Sequence, residues 1–432
     1  MSIEMTILIV LGGFLLLLAL GTEIAVAIGV MSVIGFLFIV DQPLAQIART
    51  AFHELNHWVL TAVPLFIFMG TMLGNTGVVR SLFDGAEKLI GGLPGGLASA
   101  VIGADALFGA MSGSAIAAAA TFGTVAYPEM ERKKYHQRLA LGAILVGGTL
   151  AVLIPPSILL IIFGALQGVS IVRLFAAALI PGVILAFLLI LTVVIMVKLN
   201  PSMAPKPAKS SWKEKLSAIK ELLPWLGIIG VVLGVIFGGI MTPTESAALG
   251  AFISIVVAAA YRKFTWAALK DSLLTTVKIT SMIAFLIAVA NMFSFVFHAS
   301  GISDTFKEIF VALPLGKYGG IALIYILYFI LGMFLDDLSM LILTLPFVVP
   351  VIRELGFKPL WFGVVYVVTA EIALVTPPFG LSLFALKGVI PKHDIMEIAI
   401  SALYFIPALL LLLVLLTAFP DLALWLPNIL HG

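Results

Sequence analysis

Leu153-Ile154-Pro155-Pro156-Ser157 and Val375-Thr376-Pro377-Pro378-Phe379 each interrupt a long apolar stretch of this chain. Both fall where a membrane-crossing helix would otherwise be continuous. Proline removes a backbone donor and clashes with the preceding turn, so a pair breaks the helix. Inside lipid, a broken helix is tolerated only where the freed backbone groups face protein or a water-filled cavity. Two such breaks in corresponding places of two halves mark the binding site of a secondary transporter built from repeats.

Working outward, composition fixes the class. Apolar residues make up 62% of the 432 and charged residues only 11%. Mean hydropathy is +1.21. A soluble domain has about a quarter of its residues charged. Runs such as Ile7–Leu20, Ile24–Val40 and Val183–Val197 approach the length needed to cross roughly 30 Å of hydrocarbon. The first run lacks a basic leader and reads as a retained span. A net charge of +2 gives no ground for a nucleic-acid partner. With no cysteine, thiolate chemistry, disulfides and cysteine metal sites are excluded. The one Gly-Lys pair, Gly316-Lys317, is followed by Tyr318 and is no phosphate loop, so ATP is not the expected driver.

Basic residues mark the cytoplasmic side. They cluster at Arg132, Lys133, Lys134 and Arg138, and again from Lys198 through Lys206, Lys209, Lys213 and Lys215 to Lys220. The segment 93–127 has basic residues at both ends and is rich in Gly, Ala and Ser, which suits tight helix packing. It reads as a re-entrant hairpin with its tip at Ser112-Gly113-Ser114, followed by a broken helix over 139–163. The second half mirrors this with opposite orientation: a hairpin over 319–352 holding Asp336-Asp337, then a broken helix over 360–387. Pro155 and Pro377 are offset by 222 residues (377 − 155), and Ser112 and Asp336 by 224 (336 − 112). The expected fold is therefore an all-α polytopic membrane protein with inverted repeats. Residues 1–92 supply N-terminal scaffold helices and 93–170 the first repeat. Residues 171–298 supply further scaffold helices with a cytoplasmic amphipathic linker at 200–224, 299–395 the second repeat, and 396–432 a C-terminal helix. Ser211 with Glu214, and Thr242 with Glu245 behind Pro243, have the spacing of helix starts. The stretch 263–278 has the character of an interfacial helix.

A carboxylate at the bilayer centre costs at least roughly 2.5–3.5 kcal/mol, so it serves a pathway or an ion. Asp336 and Asp337 fit that role, Asp336 preferred; the alternative is a hydrogen bond at a helix end. Ser112-Gly113-Ser114 offers hydroxyls and exposed backbone that suit a substrate carboxylate; the alternative is close packing. Thr149, after Gly147-Gly148, and Thr376 either ligate an ion or satisfy freed backbone groups. Glu371 reads as a proton carrier or an ion-pair partner, while Asp105 fits an ion or a structural role equally. His53, His57 and His298 are too scattered for a metal site.

The stretches Pro64-Leu-Phe-Ile-Phe-Met-Gly, Met111-Ser-Gly-Ser-Ala, Leu153-Ile-Pro-Pro-Ser, Leu174-Phe-Ala-Ala-Ala-Leu-Ile-Pro-Gly, Thr242-Pro-Thr-Glu-Ser-Ala-Ala and Thr376-Pro-Pro-Phe-Gly span nearly the whole chain. Together they resemble the large membrane subunit of the TRAP (tripartite ATP-independent periplasmic) transporters. The resemblance implies sodium-driven import of an organic acid, such as a C4-dicarboxylate or sialic acid, across a bacterial inner membrane by an elevator motion. It implies as partners a small four-helix membrane subunit, expected as a separate polypeptide, and a periplasmic substrate-binding protein. Carried over by position, one sodium site lies at Ser112, Gly148 and Thr149 and another at Asp336, Ser339 and Thr376. The substrate then meets Ser112, Gly113, Ser114, Pro155, Pro156, Pro377 and Pro378. Competing readings are a self-sufficient ion-coupled carboxylate transporter without a binding protein, a channel, and an intramembrane enzyme. The last lacks any His-Glu-x-x-His or Gly-x-Ser-x-Gly motif.

Overall fold

A computed structural model describes residues 3–206, 211–377 and 380–430. Pro378 and Lys209 lie outside them. All regular structure among the described residues is helical. The chain begins with α1 (Ile3–Ile7) running through a wider turn into α2 (Gly13–Ala19), then α3 (Ile24–Ile34), α4 (Leu44–Leu55), α5 (Ala62–Asn75) and α6 (Val79–Ile90). A helical hairpin follows, α7 (Gly96–Ser112) and α8 (Ala115–Val125), closed off by α9 (Tyr127–Arg132). The next span is broken into α10 (Gln137–Gly147), α11 (Leu150–Leu153) and α12 (Ile158–Gln167). The middle of the chain comprises α13 (Ile171–Leu199), α14 (Trp212–Phe237), α15 (Pro243–Ala260), α16 (Trp266–Ala299) and α17 (Ile302–Ala312). A second hairpin, α18 (Gly316–Gly332) and α19 (Asp337–Glu354), precedes a second broken span, α20 (Pro359–Leu374) and α21 (Leu381–Val389). The chain ends with α22 (Ile395–Leu403), α23 (Ile406–Ala418) and α24 (Asp421–Leu430).

Local chemistry sets the helix starts. Ser211 accepts the Glu214 N–H while the Glu214 carboxylate accepts the Ser211 N–H, and Thr242 and Glu245 repeat the arrangement. Three boundaries differ from the sequence expectation. The linker helix and the span after it are one rod, α14, which passes through Pro224. That proline deprives only the Lys220 carbonyl of its donor, and Lys220 is exposed, so water replaces the bond. Likewise the interfacial stretch 263–278 is the start of α16, with no break before the span. Third, the C-terminal helix expected over 396–432 is three helices, the first two bent by 47° ahead of Pro407.

Among the described residues, six helical stretches are long and apolar enough to cross a membrane, or seven with the bent pair counted. The N-terminal runs 4–19 and 24–39 are shorter. At the centre lie α10 and α20: every residue from Leu139 to Gly147 and from Leu360 to Leu374 is buried. A helix apolar all round belongs inside. The two repeats are interleaved. α7 packs on α10 and α11, and α20 on α18 and α19, while α21 lies on α8 and α12 on α19 and α20. Small residues permit this closeness: a Cβ on Gly109 of α7 would sit 2.2 Å from the Ala151 Cα of α11.

Candidate functional site

Each hairpin tip and each helix break starts a new helix. In the first hairpin, α7 stops because Gly113 turns left-handed (φ 61°), its N–H closing on the Gly109 carbonyl at 2.7 Å. That conformation favours glycine. Ser114 is extended and caps α8, accepting the Ala117 N–H at 3.3 Å. In the first broken span, Pro155 and Pro156, joined by a cis peptide bond, leave the Ala151 and Val152 carbonyls without helical donors. Ser157 then caps α12 through the Leu160 N–H at 3.4 Å.

These pieces meet. A Cβ on Gly113 would lie 3.0 Å from the Ile158 side chain, so the hairpin tip stands over the start of α12. A Cβ on Gly148 would lie 2.9 Å from the Ala115 carbonyl oxygen, and one on Gly147 2.3 Å from Asp105 Oδ2. Gly70 of α5 presses the tip from the other side, 2.6 Å from the Ser112 Cα by the same measure. Ser112, Gly113, Ser114, Gly148, Pro155 and Pro156 therefore form one neighbourhood. Within it the Ser112 hydroxyl and both Asp105 carboxylate oxygens are buried without a hydrogen-bond partner. Thr149 is committed locally, its hydroxyl donating to the Val146 carbonyl at 2.7 Å, which leaves an oxygen lone pair.

The second repeat builds its counterpart with charge. Asp336 caps α19, its Oδ2 accepting the Ser339 N–H at 3.0 Å, and its other oxygen makes no protein hydrogen bond. Asp337 accepts the Leu338 N–H at 3.0 Å. The Asp337 carbonyl accepts the Tyr366 hydroxyl at 2.5 Å, which ties the tip to α20. Gly332 faces Ala373, and Glu371, on the same stretch of α20, is fully buried with neither carboxylate oxygen paired. The Thr376 hydroxyl donates to the Ile372 carbonyl at 2.5 Å. Pro377 follows half-buried, and α21 begins at Gly380 (φ 29°). Among the described residues no hydrogen bond joins the two tips; interleaved packing holds the halves together.

The result is four helix N-termini, those of α8, α12, α19 and α21, at the hairpin tips and helix breaks. Each carries partial positive charge and unpaired N–H groups, which suit an anion. The helices ending at the same breaks present carbonyls, which suit a cation. No group of three or more His, Asp and Glu side chains gathers among the described residues. A cation here would rest on carbonyl and hydroxyl oxygens with one or two carboxylates, a hard oxygen set. Sequence reasoning missed Gly70, Ser157 and Tyr366. Gly70 stands in one of the quoted stretches, and Ser157 directly follows the prolines, so both were findable. Tyr366 carried no signal.

At the end of the bundle that carries α9, polar contacts fasten the first repeat to the second and to α6. The Tyr127 hydroxyl meets His393 at 2.5 Å, and His393 meets Glu397 at 2.9 Å. Lys392 pairs with Glu131, and Lys133 with Glu87. The Arg132 guanidinium, 2.6 Å from Glu129, holds that carboxyl below its ordinary range.

Residues 11–422 match the family described as tripartite ATP-independent periplasmic transporter, DctM component. The chain is 31% identical over 454 residues to the C4-dicarboxylate TRAP transporter large permease protein DctM of Vibrio cholerae, covering 100% of this chain and 99% of that one. It is 30% identical over 382 residues to the sialic acid TRAP transporter large permease protein SiaM of the same species, covering 88% of each. Among solved structures, the YdaH transporter of Alcanivorax borkumensis shares the fold, with a TM-score of 0.58 at 15% identity over 91% of this chain and 90% of that one.

Proposed function

The chain belongs to the DctM-component family of tripartite ATP-independent periplasmic transporters, and we propose that it is the large membrane subunit of a sodium-coupled importer of an organic acid. It is a multi-pass inner-membrane transport protein and not an enzyme. One observation carries the proposal: two hairpins and two broken spans start four helices at their tips and breaks, with unpartnered buried oxygens on Ser112, Asp105 and Glu371. N-terminal N–H groups serve the carboxylate of the acid, and the carbonyl ends with Asp336 serve sodium. The related proteins named for C4-dicarboxylates and for sialic acid share a carboxylate as their common chemistry.

In this reading Ser112, Gly113, Ser114, Pro155, Pro156 and Pro377 border the acid. The oxygens around Ser112, Gly148 and Thr149, and around Asp336, Ser339 and Thr376, hold sodium as the coupling ion. The interleaved repeats move as one body in an elevator motion against the long helices α13–α16. A small four-helix membrane subunit completes the scaffold, and a periplasmic binding protein delivers the acid. A self-sufficient carrier without a binding protein is the competing reading.

The deciding experiment is uptake of radiolabelled succinate and sialic acid into proteoliposomes holding this chain and its small partner. It is run with and without a sodium gradient and a binding protein. Accumulation that needs both supports the proposal. Sodium-driven uptake without a binding protein favours the self-sufficient carrier, and uptake indifferent to sodium removes the coupling.

A further inference from the structure

Away from the breaks, a cleft of about 260 Å³ opens between α16 on one side and the ends of α12 and α19 on the other. Its polar lining is Gln167 of α12, Asn291, Ser294 and His298 of α16, and Arg353 of α19. No aspartate or glutamate lines it. α16 starts just after Arg262 and Lys263 and reaches the cleft at its far end, which puts the opening on the periplasmic side. One wall belongs to the long middle helices and the other to the repeats.

The cleft is equipped for an anion. Arg353 is exposed, and among the described residues its guanidinium makes no ion pair or hydrogen bond; its neighbour Glu354 is engaged by Lys307 at 3.3 Å. The Asn291 amide nitrogen is buried with no partner. A buried donor left unpaired is costly unless something fills the site. His298 turns its Nδ1–H to the Ser294 carbonyl at 2.8 Å, so the ring is oriented rather than loose. Pro346 and Pro350, both lining the cleft, deprive the carbonyls of Ile342 and Pro346 of their helical donors. A guanidinium and an amide donor suit a carboxylate, and the carbonyls suit hydroxyl groups. A volume near the lower end of ligand sites suits a small acid.

We propose that this cleft is an outer docking site for the carboxylate of the incoming acid, with Arg353 as anchor and Asn291 as second donor, occupied before the acid reaches the hairpin tips. The proposal rests on the import reading above. It gives α19 two tasks: its N-terminal end carries the Asp336 cap, and its C-terminal end receives substrate.

The chain has no cysteine, so Ser294→Cys places a single reporter thiol in the cleft. Its modification by anionic sulfonatoethyl methanethiosulfonate is compared with that by the cationic trimethylammonium-ethyl reagent, in the assembled complex. The anionic reagent should react faster. Adding Arg353→Gln should slow the anionic reagent and speed the cationic one, each about fivefold, as expected for one unit charge at contact range in water, so the anion-to-cation ratio should fall about thirtyfold, and Arg353→Lys should keep it. In proteoliposomes, Arg353→Gln should raise the KM for succinate or sialic acid several-fold with the maximal rate kept. Intact uptake with an unmoved ratio and an unmoved KM overturns the cleft alone. Absence of any uptake by the unmodified complex overturns the import reading, and this proposal with it.

Discussion

Replacing Asp336 by asparagine and by alanine separates two roles that its geometry combines. One carboxylate oxygen caps α19 through the Ser339 N–H at 3.0 Å. The other makes no hydrogen bond among the described residues. Asparagine caps a helix as well as aspartate, so Asp336→Asn should leave stability nearly unchanged. Asp336→Ala should cost about 1 kcal/mol. If the carboxylate binds sodium, both variants lose a unit charge about 4 Å from the ion, worth roughly 4 kcal/mol at an effective dielectric of about 20. Asp336 is only half-buried, so that figure is an upper bound. It corresponds to about a thousandfold in sodium affinity. The assay is a sodium titration of uptake in proteoliposomes beside thermal unfolding in detergent. Expected is a large loss of sodium dependence in both variants, with stability lost only in alanine. An asparagine variant with wild-type sodium dependence would refute the reasoning, leave Asp336 as a cap, and move attention to Asp337 and Glu371.

Two further expectations follow from the packing and the ion pairs around α9. Gly109→Ala forces a methyl to within 2.2 Å of the Ala151 backbone, which cannot swing aside, so unfolding free energy should fall by about 1–3 kcal/mol. Unchanged thermal or denaturant stability would mean that α7 and α11 do not approach so closely. Glu129 is held below its ordinary value of 4.5 by Arg132. A depressed carboxyl adds stability above the unfolded value and loses it as pH falls through the folded one. The wild-type advantage over Glu129→Gln, below 1 kcal/mol for so exposed a pair, should shrink as the buffer is taken from pH 6 to below about 4.5. A gap that holds or widens there contradicts the assignment.

The breaks were legible in the sequence because proline acts on the backbone itself. A pair of them in an apolar run stops a helix whatever surrounds it, and the observed stops fall at Leu153 and Leu374. The hairpin tip at Ser112-Gly113-Ser114 was legible for a related reason, since glycine takes the left-handed turn and serine the cap. Continuity was not legible. α14 and α16 each run from a watery face into an apolar one, so their composition changes halfway while the helix does not. A pattern of polarity reports environment along a helix, and a change of environment looks like a boundary. The use of hydroxyls was equally hidden: whether Thr149 and Thr376 turn to the preceding turn or to a ligand depends on a rotamer, and both turn to the helix.

The two repeats share the order of hairpin then broken span but not their charge. At the first break the tip is Ser-Gly-Ser, and the acid is Asp105, on α7, pressed against Gly147 of the broken span. At the second, Asp336 and Asp337 stand at the tip itself, with Glu371 in the broken span behind them. Helix ends supply both breaks with similar carbonyls, so backbone geometry alone would give two cation sites of similar strength. Carboxylates add charge that carbonyls lack, and Asp336 and Asp337 stand at the second tip itself, whereas Asp105 lies back along α7. If sodium binds at both, the second site should fill at the lower concentration. Its ion would offset the negative charge beside the helix N-termini where the acid must sit. An anion would then bind well only after that cation, because the same acids that attract sodium repel a carboxylate until it arrives. In this arrangement, coupling follows from where the acids are placed, with no additional gate.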